Sequence, residues 1–228
     1  MARLLFTRGA GSRMFAAKFK EEAMLTIFVI GGMGAGKSTA RKALVDQGLE
    51  WIDLDQLGHD VLTWETVKTD LLGAFGPDIF NPYGEVSRPA LARKAFDSPA
   101  QTRKLNRITM PRIEELFIDA LDELKRKECK AVVVEYSVYK NRASSMGYAA
   151  DIVLGVLAPV DTRIKRAVAA GWAEDDVRRR IAQQVTDAER IEESDVVFNN
   201  DGTKEELYNK VVSWWSDYAE KEGIDLSK

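Results

Sequence analysis

Nine consecutive residues near the amino end of the chain have the spacing of a phosphate-binding loop. Gly31 to Thr39 reads GGMGAGKST, which matches the pattern G-x-x-x-x-G-K-[ST] and directly follows an apolar run at residues 25–30. Glycines let a backbone turn tightly and approach a ligand without a Cβ in the way. The N–H groups of such a loop, and of the helix after it, form a concave, electropositive cradle for phosphate oxygens. The sequence therefore predicts a nucleoside triphosphate site.

Each polar residue of this loop has a predicted task. Lys37 would reach the terminal phosphates, and the Ser38 hydroxyl would bind Mg²⁺. We therefore predict that Lys37 is a catalytic residue and that Ser38 is a metal ligand. The predicted nucleotide contacts are Gly34, Ala35, Gly36, Lys37, Ser38 and Thr39.

Acidic residues follow two later apolar runs. Asp53 and Asp55 come after the run at 49–52, and in an extended chain they point to the same side. A carboxylate there could bind Mg²⁺ through water or accept a hydroxyl proton, which is sufficient because phosphoryl transfer depends on positioning and charge stabilisation. Alternatively, Asp55 caps the helix that follows. Glu135 ends the run at 131–134 in the Walker B arrangement, and we predict that it helps to hold the metal.

Basic residues that could neutralise a transferring phosphate occur later in the chain. Arg163, Lys165 and Arg166 open a predicted helix, and Arg163 and Arg166 share one helical face. The expected role of this cluster is a cationic lid that closes over the phosphate and excludes water. The arginines at 178–180 are interpreted instead as a solvated helix face.

The loop at 199–202 contains two asparagines between the last predicted strand and the last predicted helix. The side-chain amide of Asn200 could read the base of the nucleotide. The loop could equally be a turn with no binding role. We predict that Asn200 binds the nucleotide.

The elements that must position these groups alternate between apolar runs and helical patterns. Strands are predicted at 25–30, 49–52, 131–134, 152–157 and 196–198. These runs are apolar almost throughout, as expected for a parallel sheet covered by helices on both faces. Helices are predicted at 38–46, 64–75, 88–96, 99–127 with an interruption at Pro111, 160–170, 174–193 and from 203 onward. This pattern predicts a doubly wound α/β fold, which binds ligands beyond the carboxyl ends of its strands.

The predicted core domain covers residues 24–228. Within it, the mostly helical region 57–128 is predicted to bind the second substrate, and the helices at 160–190 to form the lid. Residues 1–23 contain five basic residues and no acidic residue before Glu21. We predict that they are an extension outside the core, either an organelle transit peptide or an upstream extension without a targeting role.

Composition excludes several classes of protein. The net charge of −3 gives no electrostatic footprint for nucleic acid. A single cysteine and a single histidine exclude a disulfide framework and a histidine-rich metal site. No apolar run approaches the roughly 20 residues that cross a bilayer. We expect a cytoplasmic enzyme, a monomer or weak homo-oligomer, whose partner is a small molecule rather than nucleic acid or membrane.

Taken together, the motifs between residues 25 and 202 resemble those of the dephospho-coenzyme A kinase family. The family pattern reads G-G-x-G-x-G-K-S-T, I-D-x-D, F-G, G-x-[LV]-x-R, L-N-x-x-x-H-P-x-I, D-x-P-L-L, a K-R lid and D-x-x-I-x-N-x-G. The corresponding segments here are 31–39, 52–55, 75–76, 84–88, 105–113, 135–139, 165–166, 183–184 and 195–202. The shared order and spacing of these motifs is more specific than the phosphate loop alone.

The resemblance implies a P-loop fold similar to the nucleoside monophosphate kinases, with a helical substrate cap and a lid. It also implies transfer of the γ-phosphate of ATP to the ribose 3′-hydroxyl of dephospho-coenzyme A. In that reaction Asp55 would be the base, and Arg166 would stabilise the transferring group. Asp53 and Arg88 would contact the acceptor. ATP and Mg²⁺ are the implied cofactors.

The chain departs from the family pattern at three places. Met110 stands where the family has histidine, residues 135–139 read EYSVY, and Ala170 stands where a late lid arginine is usual. These changes lie outside the ATP site and would affect activity or the choice of acceptor. Two alternatives stay open: a P-loop kinase for another small metabolite or nucleotide, and a nucleotide-binding regulatory relative with little activity. The presence of Lys37, Ser38 and Asp55 favours an enzyme.

Overall fold

The structure is a computed structural model that describes residues 24–226; the predicted extension at 1–23 lies outside them. Its strands form one five-stranded sheet in the order β2-β3-β1-β4-β5, and every pairing between them is parallel. The strands are β1 (Leu25–Gly31), β2 (Glu50–Asp53), β3 (Ala131–Glu135), β4 (Ile152–Leu157) and β5 (Val196–Asn199). All five predicted strands are confirmed, so their carboxyl ends meet at one edge of the sheet.

Nine α-helices occur in the described part of the chain. They are α1 (Lys37–Val45), α2 (Leu54–Asp60), α3 (Glu65–Phe75), α4 (Arg88–Ala95), α5 (Pro99–Arg126), α6 (Val160–Ala169), α7 (Glu174–Gln183), α8 (Asp187–Glu193) and α9 (Lys204–Glu222). Short 3₁₀ turns occur at Val61–Thr63, Pro77–Ile79 and Gly147–Ala149. No helix in the described range 24–226 is long and apolar enough to cross a membrane.

Both faces of the sheet are covered, as the apolar strands predict. Side chains of a strand alternate between faces, and Ile27 and Val29 of β1 belong to a cluster with apolar residues of α1 and α9. Phe28 and Ile30 belong to a second cluster on the opposite face, with apolar residues of α5. All four are buried. The doubly wound α/β fold is thereby confirmed.

The region between β2 and β3 has an apolar cluster of its own. Its buried members come from α3, the turn Pro77–Ile79 and α4: Val67, Leu71, Phe75, Ile79, Leu91 and Ala95. Leu105 and Ile108 of α5 pack against this cluster. Further along the same helix, Phe117 and Leu121 belong to the core beneath the sheet. The helix α5 therefore ties this helical region to the sheet.

Three helix predictions are wrong in detail. The predicted interruption at Pro111 is absent, and α5 runs through it; a proline inside a helix costs about 3 kcal/mol, which burial of the helix on both of its clusters offsets. The predicted helix at 174–193 is two helices, because Thr186 and Glu189 form a capping box that starts α8. The helix α2 follows β2 without a loop, whereas the sequence analysis considered a helix here only as the alternative capped by Asp55 and gave it no bounds.

Candidate functional site

The phosphate-binding motif folds as a tight loop between β1 and α1. Gly34 and Gly36 have φ angles of +73° and +110°, in the left-handed region that favours glycine. Gly36 is the N-cap of α1, and Lys37 is its first residue. The N-terminus of α1 therefore opens at the carboxyl edge of the sheet, where its free N–H groups can receive phosphate oxygens.

Side chains from later elements hold this loop from outside. The Nδ2 of Asn200 donates to the carbonyl of Ala35 at 2.7 Å. The backbone N–H of Met33 donates to Oε1 of Gln184 at 3.0 Å. A Cβ added at Gly32 would overlap the guanidinium of Arg163. The loop is thus held by three side chains that lie far away in sequence.

Lys37 is buried at the centre of the site. Its side chain is 8% exposed, and its Nζ lies 3.5 Å from the carbonyl oxygen of Gly32. Burial lowers the pKa of Lys37, and the carboxylates of Glu135 and Asp55 oppose that shift. The ammonium therefore lies at the first residues of the loop, within electrostatic reach of two carboxylates, and a terminal phosphate can displace its weak contact to Gly32.

Asp53 ends β2 and caps the helix after it. Its Oδ1 accepts the backbone N–H groups of Asp55 at 2.9 Å and Gln56 at 3.1 Å. The alternative that Asp55 caps this helix is wrong, since Asp53 is the cap. The expectation that both aspartates lie on one extended segment is also wrong, because α2 begins at Leu54. The missed helix therefore turns Asp55 away from the strand direction.

Asp55 is exposed in the first turn of α2. Its Oδ2 accepts a hydrogen bond of 2.8 Å from the hydroxyl of Ser137, which follows β3. Its charge also acts on the pKa of Lys37. The carboxylate is therefore oriented by a neighbouring strand and stays accessible to an incoming hydroxyl group.

Glu135 ends β3 directly beside Asp53, with which it is paired across the sheet. Arg41 of α1 bridges the two acids: its Nε lies 3.5 Å from Glu135, and its NH1 lies 3.7 Å from Asp53. Burial raises the pKa of Glu135, although Lys37 and Arg41 act in the opposite direction. Two carboxylates and one guanidinium thus stand beside the loop.

The donor set fits a magnesium ion that is shared with phosphates. Among residues 24–226, no group of three or more histidine, cysteine, aspartate or glutamate side chains could hold a metal by itself. Magnesium commonly takes one or two carboxylates, waters and substrate phosphates. The exposed hydroxyl of Ser38 at the start of α1, together with Glu135 and Asp53 at adjacent strand ends, supplies oxygen donors of that kind.

The predicted lid arginine Arg166 lies at the loop between β5 and α9. Its NH1 donates to the carbonyl of Asn200 at 3.2 Å, and its NH2 donates to the carbonyl of Gly202 at 3.0 Å. Asn200 is itself 4% exposed. In this state both residues support the loop that faces α1, so a contact between Arg166 and the transferring phosphate stays a prediction.

Arg88 is exposed and opens α4, which packs against α5 in the helical region. Thr39 is half-buried, and its backbone N–H donates to the carbonyl of Gly36 at 3.0 Å. Ala35 is fully buried in the loop. The structure thus gathers the loop residues, the strand-end acids and Asn200 at one edge, whereas Arg88 belongs to the helical region.

Sequence reasoning missed several charged or polar side chains at this edge. Arg41 and Arg190 were not predicted, and Ser137 and Gln184 were noted only within family motifs. A signal was available for Arg190, which follows Asp187 by three residues on α8 and pairs with it at 2.8 Å. Arg41 had a weaker signal, because one turn of helix separates it from Lys37. Nothing local marked Ser137 or Gln184.

The sequence profile described as "Dephospho-CoA kinase" matches residues 25–206 of the chain. The chain belongs to the dephospho-CoA kinase family. It is 40% identical over 186 residues to the dephospho-CoA kinase of Corynebacterium efficiens, covering 81% of this chain and 92% of that protein. It is 32% identical over 185 residues to the dephospho-CoA kinase of Dehalococcoides mccartyi, covering 81% of this chain and 92% of that protein.

Two solved structures share the fold of this chain. TT1252 from Thermus thermophilus has 26% identity and a TM-score of 0.71, covering 85% of this chain and 97% of that chain. The dephospho-CoA kinase from Campylobacter jejuni has 16% identity and a TM-score of 0.64, covering 86% and 98% of the two chains, and it supports the fold alone. The sequence profile and the 40%-identical relative confirm the predicted family.

The structure locates the three departures from the family pattern that the sequence analysis noted. Met110 packs against the core cluster that contains Phe28. The rings of Tyr136 and Tyr139 lie about 6 Å from that of Phe28, at 6.1 and 6.0 Å, and burial raises the pKa of each tyrosine to about 12. Ala170 is exposed at the end of α6. Met110, Tyr136 and Tyr139 therefore add apolar packing beside the sheet, whereas Val138 and Ala170 lie on the surface.

Proposed function

We propose that the protein transfers the γ-phosphate of ATP to the ribose 3′-hydroxyl of dephospho-coenzyme A, giving coenzyme A and ADP. The proposal rests on one observation: three features lie together at the carboxyl edge of the sheet. These are a phosphate loop, the buried ammonium of Lys37 and the accessible, oriented carboxylate of Asp55. Membership of the dephospho-CoA kinase family supports the choice of acceptor.

In the proposed reaction, the N–H groups of residues 34–39 and the Lys37 ammonium bind the donor phosphates. Asp55 orients the acceptor hydroxyl and takes its proton. The acceptor oxygen forms a bond to the γ-phosphorus while the bond from that phosphorus to the β,γ-bridging oxygen breaks, and ADP leaves. Phosphoryl transfer of this type depends on positioning and on charge stabilisation.

Ser38, Glu135 and Asp53 would hold Mg²⁺, which supplies positive charge to the phosphate oxygens. The cap function of Asp53 uses its Oδ1, so its Oδ2 stays available beside Arg41. Asp53 is proposed to contact the acceptor as well, because α2 leads from it toward the helical region. Lys37 would supply a second positive charge to the phosphates.

The helical region around α3 and α4 is proposed to receive the acceptor, and Arg88 to contact the phosphates of that acceptor. The support is the separate apolar cluster, which lets this region change shape without opening the sheet. The helices α6 and α7 are proposed as the lid, since they too have a small cluster of their own, formed by Ile164, Ala167 and Val177. Met33 of the loop packs against that cluster.

One experiment separates this proposal from its alternatives. The protein is incubated with MgATP and a panel of acceptors, and phosphorylated products are identified by mass spectrometry. Dephospho-coenzyme A should be converted far faster than adenosine monophosphate or small metabolites. Faster conversion of another acceptor would identify a different P-loop kinase. Tight ATP binding with no conversion of any acceptor would support a regulatory nucleotide-binding protein.

A further inference from the structure

Three charged side chains are buried among residues 24–226, and all three are cationic. Lys37 is 8%, Arg163 4% and Arg190 5% exposed. Charged side chains are rarely buried unless they are paired. Since none of the described acids is buried to the same degree, this part of the molecule has an excess of buried positive charge.

Arg163 is the least well paired of the three. Arg190 donates to Oδ1 of Asp187 at 2.8 Å, whereas NH1 of Arg163 lies 3.6 Å from that same oxygen, beyond hydrogen-bond distance. Both Nε and NH1 of Arg163 are buried without a hydrogen-bond partner. Buried polar groups in folded proteins nearly always have a partner, so one carboxylate shared by two guanidinium groups leaves Arg163 unsatisfied.

The poorly paired guanidinium of Arg163 faces the phosphate loop. It contacts Gly32, because a Cβ at that position would overlap it. The Nζ of Lys37 lies 3.5 Å from the carbonyl oxygen of the same residue. The two cations therefore approach the loop at one point, and the charge of Arg163 contributes to lowering the pKa of Lys37.

We propose that Arg163 is a ligand of the γ-phosphate of the bound nucleoside triphosphate, filling the anion contact that Asp187 provides only in part. The loop N–H groups and the N-terminus of α1 bind the inner phosphates. Lys37, the lysine of this motif, reaches the terminal phosphates, and Arg163 approaches the loop at the same point as Lys37. The inference rests on the triphosphate-binding part of the proposed function and is independent of the acceptor.

The test compares the affinities for ATP and ADP, measured by calorimetry with Mg²⁺ and without acceptor. Arg163→Gln should weaken ATP about tenfold more than ADP, since a charge-assisted contact to the terminal group is lost. Arg163→Lys should keep part of the preference. Lys221→Gln removes the same charge from an exposed site on α9 and should leave both affinities unchanged. Equal weakening of ATP and ADP by Arg163→Gln would show that Arg163 only fills the space beside Gly32, and would overturn the inference.

A second variant distinguishes a phosphate ligand from a structural ion pair. Asp187→Asn removes the carboxylate that competes for Arg163, so its ATP affinity should equal or exceed that of the wild type. A loss matching that of Arg163→Gln would mean that the ion pair is what matters, and would overturn the inference. If Arg163→Gln does not fold, the ATP and ADP affinities of Arg163→Lys and Asp187→Asn test whether Arg163 binds the γ-phosphate. A wild-type protein that binds neither nucleotide would remove the proposed function together with the inference.

Discussion

Asp55 carries the proton transfer of the proposed reaction, so its charge should matter for turnover and not for nucleotide binding. Asp55→Asn keeps the size of the side chain but removes the base, and general-base catalysis typically contributes about 10²–10⁴-fold. We expect kcat to fall by about that factor, with the ATP dissociation constant nearly unchanged. Steady-state kinetics and calorimetry measure the two effects. Asp60→Asn, at the far end of the same helix, is the matched control. A near-normal kcat would remove Asp55 from the mechanism.

Ser137 should act only through Asp55. Its hydroxyl donates to Oδ2 of Asp55 at 2.8 Å, and the family pattern has proline at this position. Ser137→Ala loses an exposed, charge-assisted hydrogen bond, and we expect kcat to fall about fivefold with unchanged ATP affinity. The double variant with Asp55→Asn should be no slower than Asp55→Asn alone. Ser145→Ala is an exposed control in the same connection. Multiplying losses in the double variant would contradict this role.

At this scale, the sequence predicts which residues stand at the strand ends but not which atoms they use. Asp53 and Asp55 follow one strand by spacing alone, yet a helix starts between them, so one becomes a cap and the other a candidate base. Lys37 was placed correctly because its motif fixes its position relative to the loop. Arg163 was expected in a lid that closes over the phosphate, and its burial beside Gly32 in the absence of a nucleotide is something that no local pattern shows.

The connection between β5 and α9 supports the phosphate loop through one side chain, that of Asn200. The amide of Asn200 donates to Ala35 within the phosphate loop and also accepts from Arg166 at 3.5 Å. Asn200→Ala would leave the carbonyl of Ala35 unsatisfied in a buried place, at a cost of about 1–3 kcal/mol. We expect kcat/KM to fall about tenfold with ATP and with GTP alike.

This comparison also tests whether Asn200 reads the base. Loop support predicts an unchanged ratio of kcat/KM between ATP and GTP, because the phosphates are shared by both nucleotides. Base reading predicts that the ratio changes, since only the base differs. Asn199→Ala, an exposed neighbour at the end of β5, controls for changes in the backbone of the connection.

Strands were easier to predict than helix boundaries, for a physical reason. A buried parallel strand is apolar on both faces, and this composition is visible in four or five residues. The start of α8 depends on the capping box of Thr186 and Glu189, which is a local signal that sequence reasoning passed over. The passage of α5 through Pro111 depends instead on two apolar clusters that lie at opposite ends of the helix. The continuity of α5 through Pro111 can therefore be seen only from tertiary packing.

At the scale of the whole molecule, two smaller parts are attached to the central sheet. The sheet is covered by two large clusters, whereas the α3–α4 region and the α6–α7 pair each have a small cluster of their own. The sequence predicted these parts as regions 57–128 and 160–190. Their roles in acceptor binding and as a lid stay predictions, because the position of each part when substrates are bound depends on ligand contacts.

The free energy of unfolding should depend on pH through the buried carboxyl group of Glu135. Burial raises the pKa of Glu135 in the folded protein above the ordinary carboxyl value. A raised folded-state pKa means that the folded protein holds the proton more tightly than the unfolded chain. The stabilising contribution is therefore fully present below the ordinary carboxyl pKa of about 4.3 and is lost as the pH rises through the raised pKa.

Glu135→Gln cannot ionise, so its stability should not fall over that window. Without nucleotide or metal, the Tm of the variant minus that of the wild type should increase as the pH rises from about 4 to about 7. The charged carboxylate's contacts with Lys37 and Arg41 act against this direction, but burial outweighs them in the raised pKa of Glu135. Scanning calorimetry across this range measures it, with the exposed Glu192→Gln as a control for net charge. A Tm difference that is flat or decreases with rising pH would show that the cations beside Glu135 outweigh its burial.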